Sequence, residues 1–315
     1  MSDHIISTES AARAAGGTRS TLVGLFVRPR VVVYSLTGLA AVGGWSVLLA
    51  MAAELGTRGG AFTAGPGMGW FDSLAVWLGL ADGWWPALRA LCTAAGLTTG
   101  PVAGPAAPDV VSLLAVLAMW GAMAAAMMLP SAAPMFTTYG DIAEAAAERD
   151  APAVSPVFLI AGYMSVWAVF CVAATGLQLV LARLALLTGS LAPASPYLAG
   201  GALAAAGLYQ FTHLKHACLN KCRTPFPFFF ANWTIRRTGI FRLGIQQGVN
   251  CLLCCWALML VTFAAGLMNV VWMALLAIVM VLEKSMPNPR PVIVLSGAGL
   301  VIWAALLIGS GAGLL

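Results

Sequence analysis

Charged residues are scarce in this chain. Only 9% of its 315 residues are Asp, Glu, Lys or Arg, whereas soluble proteins carry about 25%. Hydrophobic residues make up 61% of the sequence, so the few charges are too sparse to cover a water-facing surface. This composition excludes an ordinary soluble domain and a disordered chain. It predicts an all-α, polytopic membrane protein whose transmembrane helices form a bundle.

Several catalytic patterns are also missing. The sequence has no glycine-rich phosphate loop, no H-E-x-x-H motif and no set of Ser, His and Asp that predicts a catalytic triad. These absences favour a non-catalytic role and leave enzymatic activity undecided. The net charge of +5 is the basic excess that membrane proteins place on their cytoplasmic side. We therefore predict no nucleic-acid partner.

Long uncharged stretches divide the chain into predicted spans, because a transmembrane helix needs about 20 apolar residues. Pro130 and Ser131 are predicted to end the second span, since proline breaks helices. The fifth and sixth spans could instead form one bent helix through Asn269, which would leave six spans. We predict seven, at residues 31–53, 110–129, 157–182, 198–212, 246–268, 270–282 and 292–308.

Lysine and arginine are distributed unevenly between the predicted loops. With a cytoplasmic N-terminus, 13 of the 16 basic residues fall on the cytoplasmic side, as the positive-inside rule requires. The sequence thus predicts a multi-pass protein of the bacterial cytoplasmic (inner) membrane. Residues 1–30 form a polar cytoplasmic segment, and residues 31–315 form a single transmembrane domain with an outer connection at 54–109.

The cytoplasmic loop at residues 221–242 mixes basic and aromatic side chains. This mixture can bind single-stranded nucleic acid, but beside a membrane it favours anionic lipid headgroups. The predicted partners are therefore the bilayer, these headgroups, and other membrane subunits or a metalloenzyme. Glu283 and Lys284, at the inner end of the sixth span, are predicted to form a salt bridge or to anchor the span at the membrane surface.

Five of the seven cysteines lie between residues 218 and 255. Cys218 and Cys222 are four residues apart, and Cys251 precedes Cys254 and Cys255 by three and four residues. Each group therefore shares one helix face. The predicted topology brings the end of the fourth span and the start of the fifth to the cytoplasmic boundary. We expect the two groups to converge there.

Histidine and methionine extend this predicted cluster. Thiolates with thioethers suit Cu(I), whereas four thiolates, or thiolates with imidazole, suit Zn(II). The alternative interpretation is that these cysteines and methionines are ordinary buried apolar residues. The sequence predicts a copper or zinc site formed by Cys218, Cys222, Cys251, Cys254, Cys255, His213, His216, Met123 and Met127.

Four ordered segments resemble a bacterial family of predicted metal-binding integral membrane proteins of unknown function. The resemblance covers roughly residues 110–287 and implies metal binding without naming a metal or a reaction. The chain departs from the family pattern at His213, where the family has proline, and at Leu253, where it has glycine. The matching segments are WGAMAAAMMLPSAAPM at 120–135, YQFTHLKHACLNKCRTP at 209–225, GVNCLLCCWALML at 248–260 and LEKSMP at 282–287.

These observations favour a membrane protein that handles a metal at the cytoplasmic boundary, for delivery, for assembly of a metalloenzyme or for storage. The spans show no acidic or histidine relay and the chain has no nucleotide-binding loop, so a chaperone ranks above a pump. A non-catalytic accessory or structural subunit of a larger membrane complex is the first alternative. A membrane thiol-redox protein is the second, because Cys251 and Cys254 have the spacing of a disulfide exchanger.

Overall fold

The computed structural model of the protein describes residues 29–59, 110–149, 152–184, 186–187, 193–266 and 269–312. The predicted segment 1–30 and the connection 54–109 lie largely outside these residues. Across the described ranges the fold is all-α, as predicted, and the one β contact there is an isolated bridge between Leu187 and Pro193. The helices are α1 Pro29–Gly59, α2 Val110–Ala147, α3 Val157–Arg183, α4 Pro196–Tyr209, α5 His213–Arg223, α6 Pro225–Ala231, α7 Arg237–Ala265, α8 Val270–Ser285 and α9 Arg290–Gly311.

Five helices, namely α1, α2, α3, α7 and α9, contain stretches long and apolar enough to cross a membrane. Helix α4 has 14 residues and α8 has 16. At 1.5 Å per residue neither reaches across an apolar layer of about 30 Å. The outer surface is apolar as well, with Leu39 and Leu295 each 73% exposed. The described helices are therefore compatible with membrane insertion, and the count of seven spans stays a prediction.

Helix α2 overturns the prediction that the second span ends at Pro130 and Ser131. It continues to Ala147 with Pro130 and Pro134 inside it. Proline removes a backbone hydrogen bond, here to the carbonyls of Ala126 and Pro130, and hydroxyl groups beside both prolines bond to other carbonyls of the helix. Ser131 Oγ donates to Met128 O at 2.9 Å and Thr138 Oγ1 to Pro134 O at 2.8 Å. Packing against neighbouring helices allows a proline-containing helix to stay continuous in an apolar bundle.

Two breaks separate helices that follow one another closely in the sequence. Gly266 ends α7 with φ of 97°, a left-handed conformation that favours glycine. Asn269 then begins α8, where its side-chain oxygen accepts a hydrogen bond from Trp272 N at 3.2 Å. The predicted fifth and sixth spans are thus two helices and not one bent helix. Thr212 caps α5 in the same way and separates it from α4.

Helices α3 and α7 approach each other through glycines. A Cβ atom on Gly162 would lie 2.0 Å from Phe241 O, and one on Gly244 would lie 2.2 Å from Leu159 O. No other residue permits this approach without displacing a backbone. The contact brings Tyr163, which follows Gly162, against the cysteine-bearing face of α7.

Polar contacts join helix ends at one end of the bundle, where α2 and α8 end and α3 and α7 begin. We call this end the cysteine end, because α5 and α8 bring their side chains to the cysteines from it. Arg30 of α1 pairs with Asp141 of α2. The guanidinium of Arg237, at the start of α7, lies 5.6 Å from the ring centroid of Phe158 in α3. The segments that the positive-inside rule assigns to the cytoplasm therefore meet at the same end. Which side of a membrane this end faces stays a prediction.

Candidate metal centre

Three thiols at the middle of α7, level with the last residues of α8, form a compact group. The Sγ atoms of Cys251, Cys254 and Cys255 all lie within 4.8 Å of one another, and each residue is at most 2% exposed. Their spacing places them on one face of the helix. The Sγ atoms of Cys254 and Cys255 lie 3.1 and 2.8 Å from Cys251 O, to which both thiols donate. These three sulfur atoms could together bind one soft metal ion.

Helix α5 brings two more cysteines to this group. Cys222 lies close enough to Cys254 for the two thiols to interact, and Cys218 is buried close enough to interact electrostatically with Cys254. The interaction with the Cys254 thiol and burial hold the pKa of Cys222 well above its ordinary value. Burial also raises the pKa of Cys218. Both thiols are therefore protonated at neutral pH and would release protons when they bind a metal.

A lysine and a tyrosine contact the sulfur atom of Cys251. Lys284 Nζ donates to this Sγ at 3.1 Å and to Ser131 Oγ at 2.8 Å. Tyr163 OH forms a hydrogen bond with the same Sγ at 3.0 Å. A cation and a hydroxyl at one sulfur stabilise a thiolate in an otherwise apolar surrounding.

The position of Lys284 differs from both predictions made for it. The sequence predicts that Glu283 and Lys284 form a salt bridge or anchor a span at the membrane surface. Glu283 instead pairs with Lys215 at 2.7 Å, and Lys284, only 9% exposed, points to the thiols. Neighbouring helix residues diverge by about 100°, so the two side chains meet different partners. A charged residue ending an apolar helix was the sequence signal that could have identified this site residue; no comparable signal marks Tyr163.

The two histidines lie apart from the thiol group. In the part of the chain that the structure describes, the cluster suited to a metal consists of the three α7 cysteines without a histidine. His213 is exposed and His216 is half-buried. Burial lowers the pKa of His216, helped by the positive charges of Lys215, His213 and Arg290. A role for either histidine as a ligand stays a prediction.

A different methionine from those predicted contacts the thiol group. Met128 Sδ lies 3.7 Å from Cys255 Sγ. Met123 and Met127 are fully buried on the same helix, farther from the cysteine end. Their role as ligands of this site stays a prediction, and Met128 adds a thioether at the edge of the thiol group.

The fold and the site together define an all-α protein with an apolar surface and a buried cluster of soft sulfur ligands. Residues 117–307 match the family PpoB2, described as copper chaperone. Because this match covers more than half of the chain, the protein belongs to the PpoB2 copper chaperone family. No curated protein matches it, and no solved structure does. The matched region contains all five clustered cysteines and Lys284, so the metal-related family predicted from the motifs is supported with copper as its metal.

Proposed function

We propose that the protein is a membrane-embedded copper chaperone that holds Cu(I) at the thiol group and passes it to a partner metalloenzyme. The observation that carries this proposal is the convergence of Cys251, Cys254 and Cys255 within 4.8 Å, with Cys222 close enough to interact with Cys254. The family match supports copper as the cargo. Thiolate and thioether sulfur atoms are the soft ligands that Cu(I) prefers.

The charge of Lys284 favours a monovalent ion. When two of the thiols bind as thiolates and the third stays protonated, the complex with one Cu(I) carries a net charge of −1, which the ammonium beside Cys251 neutralises. Four thiolates around Zn(II) carry −2 and leave a negative charge after the same compensation. Because an uncompensated charge is costly in an apolar bundle, the site is better balanced for Cu(I) than for a four-thiolate zinc complex.

The burial of the cysteines suggests the order in which they act. Cys222 is half-buried, whereas the three α7 thiols are buried. Copper would first meet Cys222 and then pass to Cys254, with which Cys222 interacts. Each thiol that binds gives up its proton, and the thiolate charge thus produced offsets the charge of the incoming ion.

The surface beside the site suits a bacterial inner membrane. Phe226 and Phe230 of α6 are 56% and 77% exposed and stack with centroids 6.2 Å apart. They lie within the basic segment 221–242, and rings beside basic side chains favour anionic lipid headgroups. We propose that this segment rests on the cytoplasmic leaflet and that the partner enzyme or membrane subunit approaches there.

Metal analysis of the purified protein tests the proposal. Protein purified in detergent with its thiols reduced should carry copper in near-stoichiometric amount, and Cys251→Ser should lose most of it. Cys218→Ser should lose part of it. The matched control is Cys171→Ser, since Cys171 is a buried free cysteine of α3 outside the thiol group. Unchanged copper in Cys251→Ser, or copper at background in the unaltered protein, would contradict the proposal.

The same preparation separates the two alternative functions. A thiol-redox protein would show reversible loss of free thiols at Cys251 and Cys254 under mild oxidation, without bound copper. An accessory subunit would copurify with partners in fixed ratio, and Cys251→Ser would leave that complex intact.

A further inference from the structure

Buried methionines continue from the thiol group into the interior of the bundle. No methionine in the described ranges is exposed, whereas leucines such as Leu39 and Leu295 cover the outer surface. Hydrophobicity alone does not require this separation, because both residue types are apolar. The methionines of α2, α7 and α8 that are at most 1% exposed are Met119, Met123, Met127, Met128, Met259, Met273 and Met280.

Two side-chain contacts fix how α2 and α7 are aligned. Met128 meets Cys255 at the cysteine end. Eight residues farther along each helix, Trp120 meets Phe263 with ring centroids 5.3 Å apart. The helices therefore run antiparallel in constant register. In this register Met259 lies level with residue 124 of α2.

A third contact aligns α8 with α2. Lys284 Nζ lies 2.8 Å from Ser131 Oγ, and both helices run towards the cysteine end. Counting back along both helices places Met280 level with residue 127 and Met273 level with residue 120. Met127 also lines one cavity with residues 277, 278, 281 and 282 of α8, which agrees with this alignment.

The methionines thus occupy three successive levels, which we call the methionine ladder. Four residues of helix rise about 6 Å, so the levels are separated by roughly one helical turn. The ladder begins at the thiol group, because Met128 Sδ lies 3.7 Å from Cys255 Sγ. Its first level holds Met127, Met128 and Met280, its second Met123 and Met259, and its third Met119 and Met273.

We propose that the methionine ladder conducts Cu(I) between the thiol group and the opposite end of the bundle. This proposal rests on the proposed function and adds movement of the ion along the membrane normal. Thioethers bind Cu(I) without carrying charge of their own, so each level offers soft ligands of equal charge. At each step one Cu–S bond forms and one breaks, and copper remains Cu(I).

The proton balance closes without a further reactant, while Cu(I) keeps its single positive charge among polarisable thioether sulfur atoms. Thiolates that release the ion to Met128 take up the protons they lost when they bound it. The ion moves down its own concentration gradient, so the step needs no nucleotide. A ladder of this kind exchanges ligands within a packed core and requires no water-filled pore.

Copper flux into vesicles tests the ladder separately from copper binding. The full chain would be reconstituted in liposomes that enclose the membrane-impermeant Cu(I) chelator bathocuproine disulfonate, with Cu(I) and ascorbate outside. The double variant Met119→Leu/Met273→Leu removes the whole third level with side chains of similar volume. We expect its initial flux to fall about tenfold, because the loss of one level of ligands raises the activation barrier for movement of the ion. Its bound copper in detergent should stay unchanged.

Met164→Leu is the matched control, because Met164 is half-buried on α3, outside the ladder, and its flux should equal that of the unaltered protein. Met259→Leu provides a milder change should the double variant misfold. Flux that is equal in the double variant and the unaltered protein overturns the ladder. Copper that binds to the unaltered protein without entering vesicles overturns it too and leaves the proposed function standing. Absence of bound copper refutes both proposals.

Discussion

Two buried lysines at the cysteine end are held in different ways. Lys215 meets Glu283 Oε2 at 2.7 Å, so one ammonium faces one carboxylate. Lys284, the next residue after Glu283, meets the sulfur of Cys251 at 3.1 Å. A carboxylate gives a fixed ion pair, whereas a thiol can gain or lose a proton and can bind a metal. The pair of Lys215 and Glu283 holds helices together, whereas Lys284 places a cation beside a thiol that can exchange its proton for a metal ion.

The first pair belongs to a network that joins four helices. Lys215 also donates to the side-chain oxygen of Gln210, just after α4. The Gln210 amide donates to Ser296 Oγ of α9 at 3.0 Å and to Glu283 Oε1 at 3.3 Å. Helix α5, which carries Cys218 and Cys222, is thereby fixed to α8 and α9.

The largest expected effect comes from breaking the fixed pair. Glu283→Gln leaves the Lys215 ammonium buried without its counter-charge. Removing one partner of a buried pair costs about 3–5 kcal/mol, and we expect that loss in the free energy of unfolding measured by denaturant titration in detergent.

The control for this change is the exposed pair of Arg30 and Asp141. Solvent screens such pairs, so Asp141→Asn should leave the unfolding free energy nearly unchanged. Equal effects of Glu283→Gln and Asp141→Asn would remove the distinction between a fixed and a surface pair.

A smaller effect is expected from the second lysine. In Lys284→Met the free thiols can stay protonated, so the fold should lose little stability. The anionic copper–thiolate complex loses its counter-charge, and we expect Cu(I) affinity to fall about tenfold, or about 1.4 kcal/mol. Competition with a Cu(I) chelator measures this affinity. Lys284→Arg keeps the charge and should retain most of the affinity. An unchanged affinity in Lys284→Met would show that this lysine is no more than structural.

A further expected effect concerns the pH dependence of copper binding. The raised pKa of Cys222 means that its thiol is protonated at neutral pH and must lose the proton on binding copper. Apparent Cu(I) affinity should therefore rise with pH, by about tenfold per pH unit for each proton released. Chelator competition across neutral pH measures the slope. Cys222→Ser should reduce this slope of affinity against pH. If the variant and the unaltered protein have the same slope, the released protons come from other groups.

The outline of the helices could be predicted because apolar runs of sufficient length report burial or lipid contact directly. The predicted third span at 157–182 and seventh span at 292–308 lie within α3 and α9. The predicted end of the second span at Pro130 was wrong, because a proline inside α2 is tolerated through packing against neighbouring helices rather than through local preference. The separation of α7 from α8 likewise depends on the backbone conformation of Gly266.

The convergence of the two cysteine groups could also be predicted, because it follows from topology and helical periodicity. The contacts of Lys284, Tyr163 and Met128 could not, because they depend on how α8, α3 and α2 rotate about their axes. That rotation is decided by tertiary contacts such as the approach of Gly162 to α7. Apolar periodicity carries little information in a helix that is hydrophobic on every face.

The order of the site residues along the chain has a consequence for biosynthesis. Met128 and Tyr163 are made early, Cys222 and Cys251 later, and Lys284 last, in α8. During synthesis the thiols of α7 emerge before the cation that compensates them, so a nascent chain displays cysteines without a finished site. Copper offered at that stage would meet an incomplete and uncompensated pocket. Under the proposed function, metallation would follow insertion of α8, which would make loading a late step in the life of the protein.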